Sequence, residues 1–329
     1  MIFTTARRHS SRLAALLALL LVTGTAASAQ RTFTSLTMFG DSFSDVGNAN
    51  QLTGGVVPLR LSNGPIWSDV LGSRIGRTTD VRPAFVAASP TGVYAVSGAL
   101  TGGGGTGTGT QIARWCGFTG GACTRAADAT GLYTLFAGGN DVRAAAGLTT
   151  DVARRDATVA AAQNLLAQGG SLKAVGARSI LFAYLPDLGL TPDRIRSPQS
   201  STLSDLTRLF NTTLEAGITG LRLATPTASL FDLRLDNLFT NLLAQPASFG
   251  FTNTDTPCTT AGALPACDGY VFFDGLHPSS AAHGFVGNAA YNLVAFDRNV
   301  AVVPEPATVV LMASGLLALA VIARRRQVR

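Results

Sequence analysis

One unit recurs along this chain: an apolar run rich in β-formers, a turn of small residues, then a stretch at helical spacing. Leu36-Thr37-Met38-Phe39 begins the series, followed by Gly40-Asp41-Ser42. Val93-Tyr94-Ala95-Val96, Leu132 to Phe136, Ile180 to Leu185 and Ser229-Leu230-Phe231 read as the later strands. Between them Trp67, Val70, Leu71 and Ile75 share one helical face, and residues 151–168, 201–224 and 279–295 are rich in Ala and Leu. Short apolar runs of this kind are buried on both faces, so helices must cover the sheet above and below. The pattern therefore predicts an α/β chain, a three-layer α/β/α sandwich around a mainly parallel sheet of about five strands. No internal repeat appears, and nothing marks a domain boundary between residues 30 and 302.

Two segments stand outside this series. Residues 1–29 have a basic start (Arg7, Arg8, Arg12), an apolar run from Leu13 to Val22 and the small residues Ala27-Ser28-Ala29. This is the layout of a secretory signal peptide, with cleavage by signal peptidase expected before Gln30. A retained anchor is the competing reading, but the ten apolar residues are short for a bilayer span. At the other end Val303-Pro304-Glu305-Pro306 precedes the apolar stretch 307–323 and Arg324-Arg325-Arg326. That order resembles the PEP-CTERM sorting signal of Gram-negative bacteria. The resemblance implies transient anchoring through 307–323, with the arginines in the cytoplasm. An exosortase-type membrane protease then cuts near Pro304-Glu305-Pro306 and leaves the body at the cell surface, in the extracellular matrix or in the medium. An ordinary C-terminal anchor has the same hydropathy.

Charge and cysteine content fit export. The formal net charge of +6 is a property of the ends, because residues 30–302 carry 18 basic and 18 acidic side chains. A neutral body gives no reason to expect a nucleic-acid partner or strong attraction to anionic polymers. Cys116 with Cys123 and Cys258 with Cys267 bracket short loops, so two local disulfides are the simplest of three pairings. Each would contribute about 2–3 kcal/mol by loop entropy. Their spacings, without nearby histidines, do not suit a zinc site. Thr101 to Thr110 contains only Gly and Thr and is expected to be a flexible loop. A phosphate-cradling loop would need a following Gly-Lys-Ser/Thr, which is absent.

Histidine is scarce, which narrows the chemistry. Beyond residue 29 only His277 and His283 remain as imidazole bases. His277 lies in Asp274-Gly275-Leu276-His277-Pro278, a turn before a helix, where the Asp274 carboxylate is close enough to reach Nδ1. Such a carboxylate selects the tautomer whose Nε2 accepts a proton and stabilises the imidazolium that forms. His283 falls within the following helix, where packing is the better reading. Ser42 follows the first strand, at the sheet edge where parallel α/β folds place ligands. Asp41 and Asp45 beside it suit the turn and the cap of the next helix better than a metal.

Gly40-Asp41-Ser42, Gly98, Gly138-Gly139-Asn140-Asp141 and Asp274-Gly275-Leu276-His277-Pro278 resemble, in order and spacing, the four blocks of the GDSL, or SGNH, hydrolase family. The likeness covers nearly the whole body and implies the SGNH-hydrolase variant of a flavodoxin-like fold. It implies Ser42 as nucleophile, Asp274 and His277 as its partners, and Ser42 N–H, Gly98 N–H and the Asn140 amide as the oxyanion hole. No metal or organic cofactor is implied. One departure is that Val93, not asparagine, precedes the aromatic Tyr94 of the second block, which bears on how that loop is supported. The activity expected is cleavage of carboxylic esters, lipase or esterase in type, on a lipid, small acyl or acetylated-sugar substrate. Acyl transfer on the same residues and a non-catalytic surface or matrix protein are the alternatives. The segments Thr101 to Cys123 and Cys258 to Cys267 are expected to wall the pocket.

Overall fold

A computed structural model describes residues 30–119, 123–224 and 226–297. The terminal segments 1–29 and 303–329, with the apolar stretch 307–323, lie outside the described residues. Among the described residues no helix is long and apolar enough to cross a membrane.

Five strands form one sheet: β1 (Leu36–Gly40), β2 (Gly92–Val93), β3 (Leu132–Phe136), β4 (Ser179–Ala183) and β5 (Ser229–Leu233). Every pairing is parallel, in the order β2-β1-β3-β4-β5. The chain leaves β1 for one side and returns on the other, so the crevice at the carboxyl ends of β1 and β3 is the topological switch point. β2 is shorter than the run 93–96 suggests. The ladder nevertheless continues, with Tyr94 N–H donating to Met38 O at 2.7 Å and Val96 N–H to Gly40 O at 3.2 Å.

Helices α1 (Asn48–Leu52), α2 (Trp67–Arg74), α3 (Thr108–Cys116), α4 (Gly139–Ala146), α5 (Asp151–Ala174), α6 (Ser200–Ala224), α7 (Leu235–Ala244) and α8 (Ser280–Phe296) connect the strands. β1 shows how they form two layers. A Cβ on Gly72 of α2 would lie 3.7 Å from Leu36, whereas Phe39 packs edge-on against Trp115 of α3. Leu36 and Phe39 point to opposite faces because strand side chains alternate. α8 packs on α2 through Gly287, where a Cβ would come within 2.4 Å of Val70. α4, α5 and α6 pack together on the other face.

Met38, Phe39, Tyr133, Phe136, Phe182 and Trp67 are all buried in one continuous core. Removing a side chain of that size from water contributes about 1.5–3 kcal/mol. α5 runs past residue 168 through Gly169-Gly170 because Gly169 faces the Phe182 ring, 2.4 Å from where a Cβ would stand. Close packing on β4 offsets the weak helix propensity of the glycine pair.

Thr101 to Thr110 is not a free loop. Thr101 and Thr108 are fully buried and α3 begins at Thr108. Asp141 accepts hydrogen bonds from Thr101 N–H and Oγ1, and Gln168 Nε2 donates to Thr101 O at 2.6 Å. Composition alone does not reveal these partners from α4 and α5. Cys116 is bonded to Cys123, and Cys258 to Cys267.

Candidate active site

The site is assembled at the carboxyl edge of the sheet from four connections. Ser42 lies in the turn after β1, closed by Ser44 N–H and Asp45 N–H donating to Asp41 O. Asp41 Oδ1 accepts from Phe43 N–H at 3.1 Å. The turn is held from below by Trp67, whose Nε1 donates to Ser44 Oγ at 3.0 Å.

Asp274 and His277 lie in a tight loop ahead of α8. Phe273 N–H donates to His277 O at 2.8 Å and Phe272 bridges Pro278, so both side chains project from one reversal. Ser279 caps α8 by accepting from Ala282 N–H at 3.3 Å. The loop is docked on the segment after β4, where Asp193 N–H donates to Gly275 O at 3.0 Å.

These elements bring Ser42, His277 and Asp274 into one line. His277 Nε2 is 2.8 Å from Ser42 Oγ, and Nδ1 is 2.8 Å from Asp274 Oδ2. Asp274 Oδ1 also accepts from the backbone N–H of Leu276 at 2.8 Å and of His277 at 2.6 Å. Burial pushes the Asp274 carboxyl up, but the His277 hydrogen bond and charge and the two N–H donors hold it below the ordinary value. An anionic carboxylate on Nδ1 leaves Nε2 as the acceptor for the serine proton.

Gly98 and Asn140 lie on the connections after β2 and β3, at the same carboxyl edge of the sheet as Ser42. Gly98 has φ +83°, a left-handed conformation that residues with a Cβ adopt at a cost. Among the described residues neither Ser42 N–H nor Gly98 N–H has a protein acceptor. Asn140 Nδ2 donates one hydrogen to Ala99 O at 3.0 Å, which orients the amide and leaves its second N–H free to donate. Two backbone N–H groups and one amide hydrogen, on the connections after β1, β2 and β3, are therefore without a protein acceptor among the described residues.

The loop that carries Gly98 is clamped at both ends by carboxylates. Asp45, 3% exposed, accepts from Ser97 N–H at 2.8 Å and Ser97 Oγ at 2.9 Å. It also accepts from the N–H groups of Gly47, Asn48 and Ala49 at the start of α1. Asp141 does the same for Thr101 at 2.9–3.1 Å. Asn48 adds bonds from Nδ2 to Val93 O and Ala95 O. Loop support therefore comes from Asp45 and Asn48 where Val93 has no polar side chain.

Several residues of this frame were not evident from sequence spacing: Asp141, Thr101, Asn48 and Gln111, which brackets Gly40 with 2.9 and 2.7 Å bonds. The uninterrupted Asn140-Asp141 pair was the one available hint. Asp41 is buried, and burial raises its pKa to about 7, opposed by the Phe43 N–H bond and the charge of His277. Burial lowers His283 to about 3, and its Nδ1 faces Trp67 N–H at 3.4 Å. It is a packed, neutral imidazole and not a second base. Among the described residues no group of three His, Cys, Asp or Glu side chains is arranged to hold a metal.

An apolar slot adjoins the line, between Phe43, Leu188, Leu190, Phe239, Phe272 and Leu276. Its walls are residues next to Ser42 and His277, the connection after β4, and α7. No described residue of 101–123 or 258–267 lines it, so the wall expected from the disulfide loops lies elsewhere for this slot. The connection after β4 and helix α7, which follows β5 directly, occupy that side of the slot instead.

Comparison with known proteins is consistent with this geometry. The model of the GDSL-like lipase/acylhydrolase family matches residues 36–290, and the PEP-CTERM protein-sorting motif matches residues 302–327. The chain is 28% identical over 260 residues to a phosphatidylcholine-sterol acyltransferase of Aeromonas hydrophila, covering 74% of this chain and 70% of that protein. It is 27% identical over 196 residues to esterase EstA of Pseudomonas aeruginosa, covering 55% of this chain and 29% of that one. A protein from the trpE-trpG intergenic region of Pseudomonas putida is 30% identical over 55% of this chain and 31% of its own length. The match spans 31% to 37% of the length of that relative and of two Arabidopsis thaliana GDSL esterase/lipases. Among solved structures, a variant acetyl xylan esterase of Geobacillus stearothermophilus is similar with TM-score 0.40 and 17% identity, covering 80% of this chain and 94% of that one. An extracellular lipase of Streptomyces rimosus is similar with TM-score 0.35 and 20% identity, covering 78% and 99%.

Proposed function

The chain belongs to the GDSL-like lipase/acylhydrolase family over residues 36–290, and on that premise we propose that it is a serine carboxylic ester hydrolase, its catalytic domain spanning residues 30–302. The observation that carries this reading is the 2.8 Å contact between Ser42 Oγ and His277 Nε2, residues 235 positions apart. Ser42 Oγ attacks the ester carbonyl carbon while His277 Nε2 takes its proton, and Asp274 stabilises the imidazolium. The carbonyl π electrons move to oxygen, where Ser42 N–H, Gly98 N–H and the second Asn140 N–H stabilise the charge. Collapse breaks the ester C–O bond, His277 returns the proton to the leaving alcohol, and the acyl group stays on Ser42. Water, deprotonated by the same imidazole, then attacks the acyl-enzyme and releases the acid. These steps use no metal or organic cofactor.

The 74% and 70% coverage of the Aeromonas acyltransferase alignment favours one second reading, acyl transfer to an alcohol in place of water. The C-terminal PEP-CTERM motif marks the chain for export and sorting. The processing that fits is removal of residues 1–29 by signal peptidase and exosortase cleavage near Pro304-Glu305-Pro306.

The test compares wild type with Ser42→Ala on a short-chain aryl ester, with circular dichroism to check the fold. Loss of turnover by at least about 10³-fold in a folded variant is expected. Equal rates would remove Ser42 as nucleophile. Added alcohol that diverts product from acid to new ester would favour the transferase reading.

A further inference from the structure

Two of the sequence's runs without a charged residue are 46–59 and 83–113. They are distant in sequence but lie against one another. Asn48 bonds the carbonyls of Val93 and Ala95 and accepts from Phe85 N–H, and Ala49, Phe85 and Val96 form a small apolar cluster on which Val57 packs. Pro83 bridges Val93 in parallel, which carries Phe85 and Val86 to the carboxyl edge of the sheet beside Val96. The first run begins four residues after Ser42 and the second contains Gly98, so together they form the β2 side of the active-site rim.

This rim is uncharged and also apolar at its surface. Ten large hydrophobic side chains are exposed among the described residues, and five stand on these two runs: Leu52 at 47%, Val56 at 84%, Leu59 at 58%, Val86 at 47% and Leu100 at 46%. The charges that bound the runs are engaged. Asp45 is buried under five hydrogen bonds, Arg60 forms a bidentate pair with Asp69, Arg82 donates to Thr79 O and Ser89 Oγ, and Arg114 turns onto Phe85 O and Val86 O and over the Phe85 ring. Exposed aliphatics gathered on one charge-free edge mark a surface that meets another apolar phase.

We infer that this rim docks on an uncharged lipid–water interface and presents the site to ester drawn from that phase. The two runs carry no charge of their own and the arginines at their ends are held by protein groups, which argues for a neutral surface over an anionic one. Continuity with Ser42 and Gly98 argues that contact and catalysis share one side of the molecule. The kinetic part of the inference rests on the ester-hydrolase reading; the binding part does not.

The experiment uses the full chain and two double variants, V56D/L59D on the rim and V152D/L223D on exposed positions of α5 and α6 as a charge-matched control. Activity is measured on dissolved p-nitrophenyl butyrate and on tributyrin emulsion. V56D/L59D is expected to lower the emulsion rate about tenfold or more and to leave the dissolved-ester rate within about twofold, while the control changes neither. Partition onto tributyrin droplets is measured in a Ser42→Ala background, where V56D/L59D is expected to reduce it. Partition should vary little between about 0.05 and 0.5 M salt. Equal droplet partition and equal emulsion rates for the two double variants would overturn the inference. A dimer that V56D/L59D dissociates would also overturn it, by making a second copy the occupant. A Ser42→Ala chain that still hydrolyses both esters would overturn the function while the partition result stands.

Discussion

Asp45 supports the loop that carries Gly98, and its replacement by asparagine tests that role. The side chain is 3% exposed and accepts five hydrogen bonds. Asparagine keeps one carbonyl oxygen, enough for Gly47 N–H and Asn48 N–H on the Oδ1 side. Its amide group would then face Ala49 N–H and Ser97 N–H, leaving two buried donors unpaired, whereas the Ser97 hydroxyl can rotate and accept. At about 1–3 kcal/mol for each orphaned group, D45N should lose about 2–6 kcal/mol. That is a large fraction of a typical domain stability of about 5–15 kcal/mol.

Ser97→Ala isolates one part of the network. It deletes a single hydroxyl bond to a carboxylate and should cost about 1.5–3 kcal/mol while keeping the backbone bond. Stability is read from urea unfolding at an unchanged m-value. Loosening Ser97 loosens the next residue, Gly98, whose N–H is proposed as an oxyanion donor. For both variants, therefore, kcat on a short-chain ester should fall about tenfold or more with little change in KM. Unfolding within about 0.5 kcal/mol of wild type together with an unaltered kcat would refute the clamp. If D45N fails to fold, Ser97→Ala still carries the kinetic comparison.

Two further outcomes follow from the site. Asn140→Ala should reduce kcat by about 10²–10³-fold with a modest loss of stability, because among the described residues the amide makes only the Ala99 O bond; a wild-type kcat would refute its proposed place in the oxyanion hole. Asp41 has a folded-state pKa raised from 3.8 to about 7, so the fold favours its protonated form. That contribution is complete below the unfolded value and is lost as pH rises through about 7. D41N keeps an acceptor for Phe43 N–H and does not titrate, so its melting temperature should gain on wild type as pH is raised from about 4 to 8. Parallel melting curves across that range would contradict it.

Much of this site was legible before any coordinate. Ser42, Asn140, Asp274 and His277 stand in motifs whose glycines and turns mark the carboxyl ends of strands, and scarcity of histidine left few choices for a base. The slot wall and the true form of the Thr101–Thr110 segment were not legible. A Gly/Thr run has no local preference strong enough to predict order, and it is ordered here by Asp141 and Gln168 from distant helices. The two uncharged runs could be counted from the sequence, but their meeting beside Ser42 depends on Asn48 and the Pro83–Val93 bridge.

The chain by itself determined the strand-turn-helix series, the side chains proposed to react and the sorting segment at its C-terminal end, because these follow from hydropathy, turn chemistry and residue type over short distances. Tertiary structure alone decided the 2.8 Å approach of His277 to Ser42, the open N–H groups and the placing of the buried carboxylates. Those depend on strand order and on contacts between segments tens to hundreds of residues apart, which local pattern does not encode.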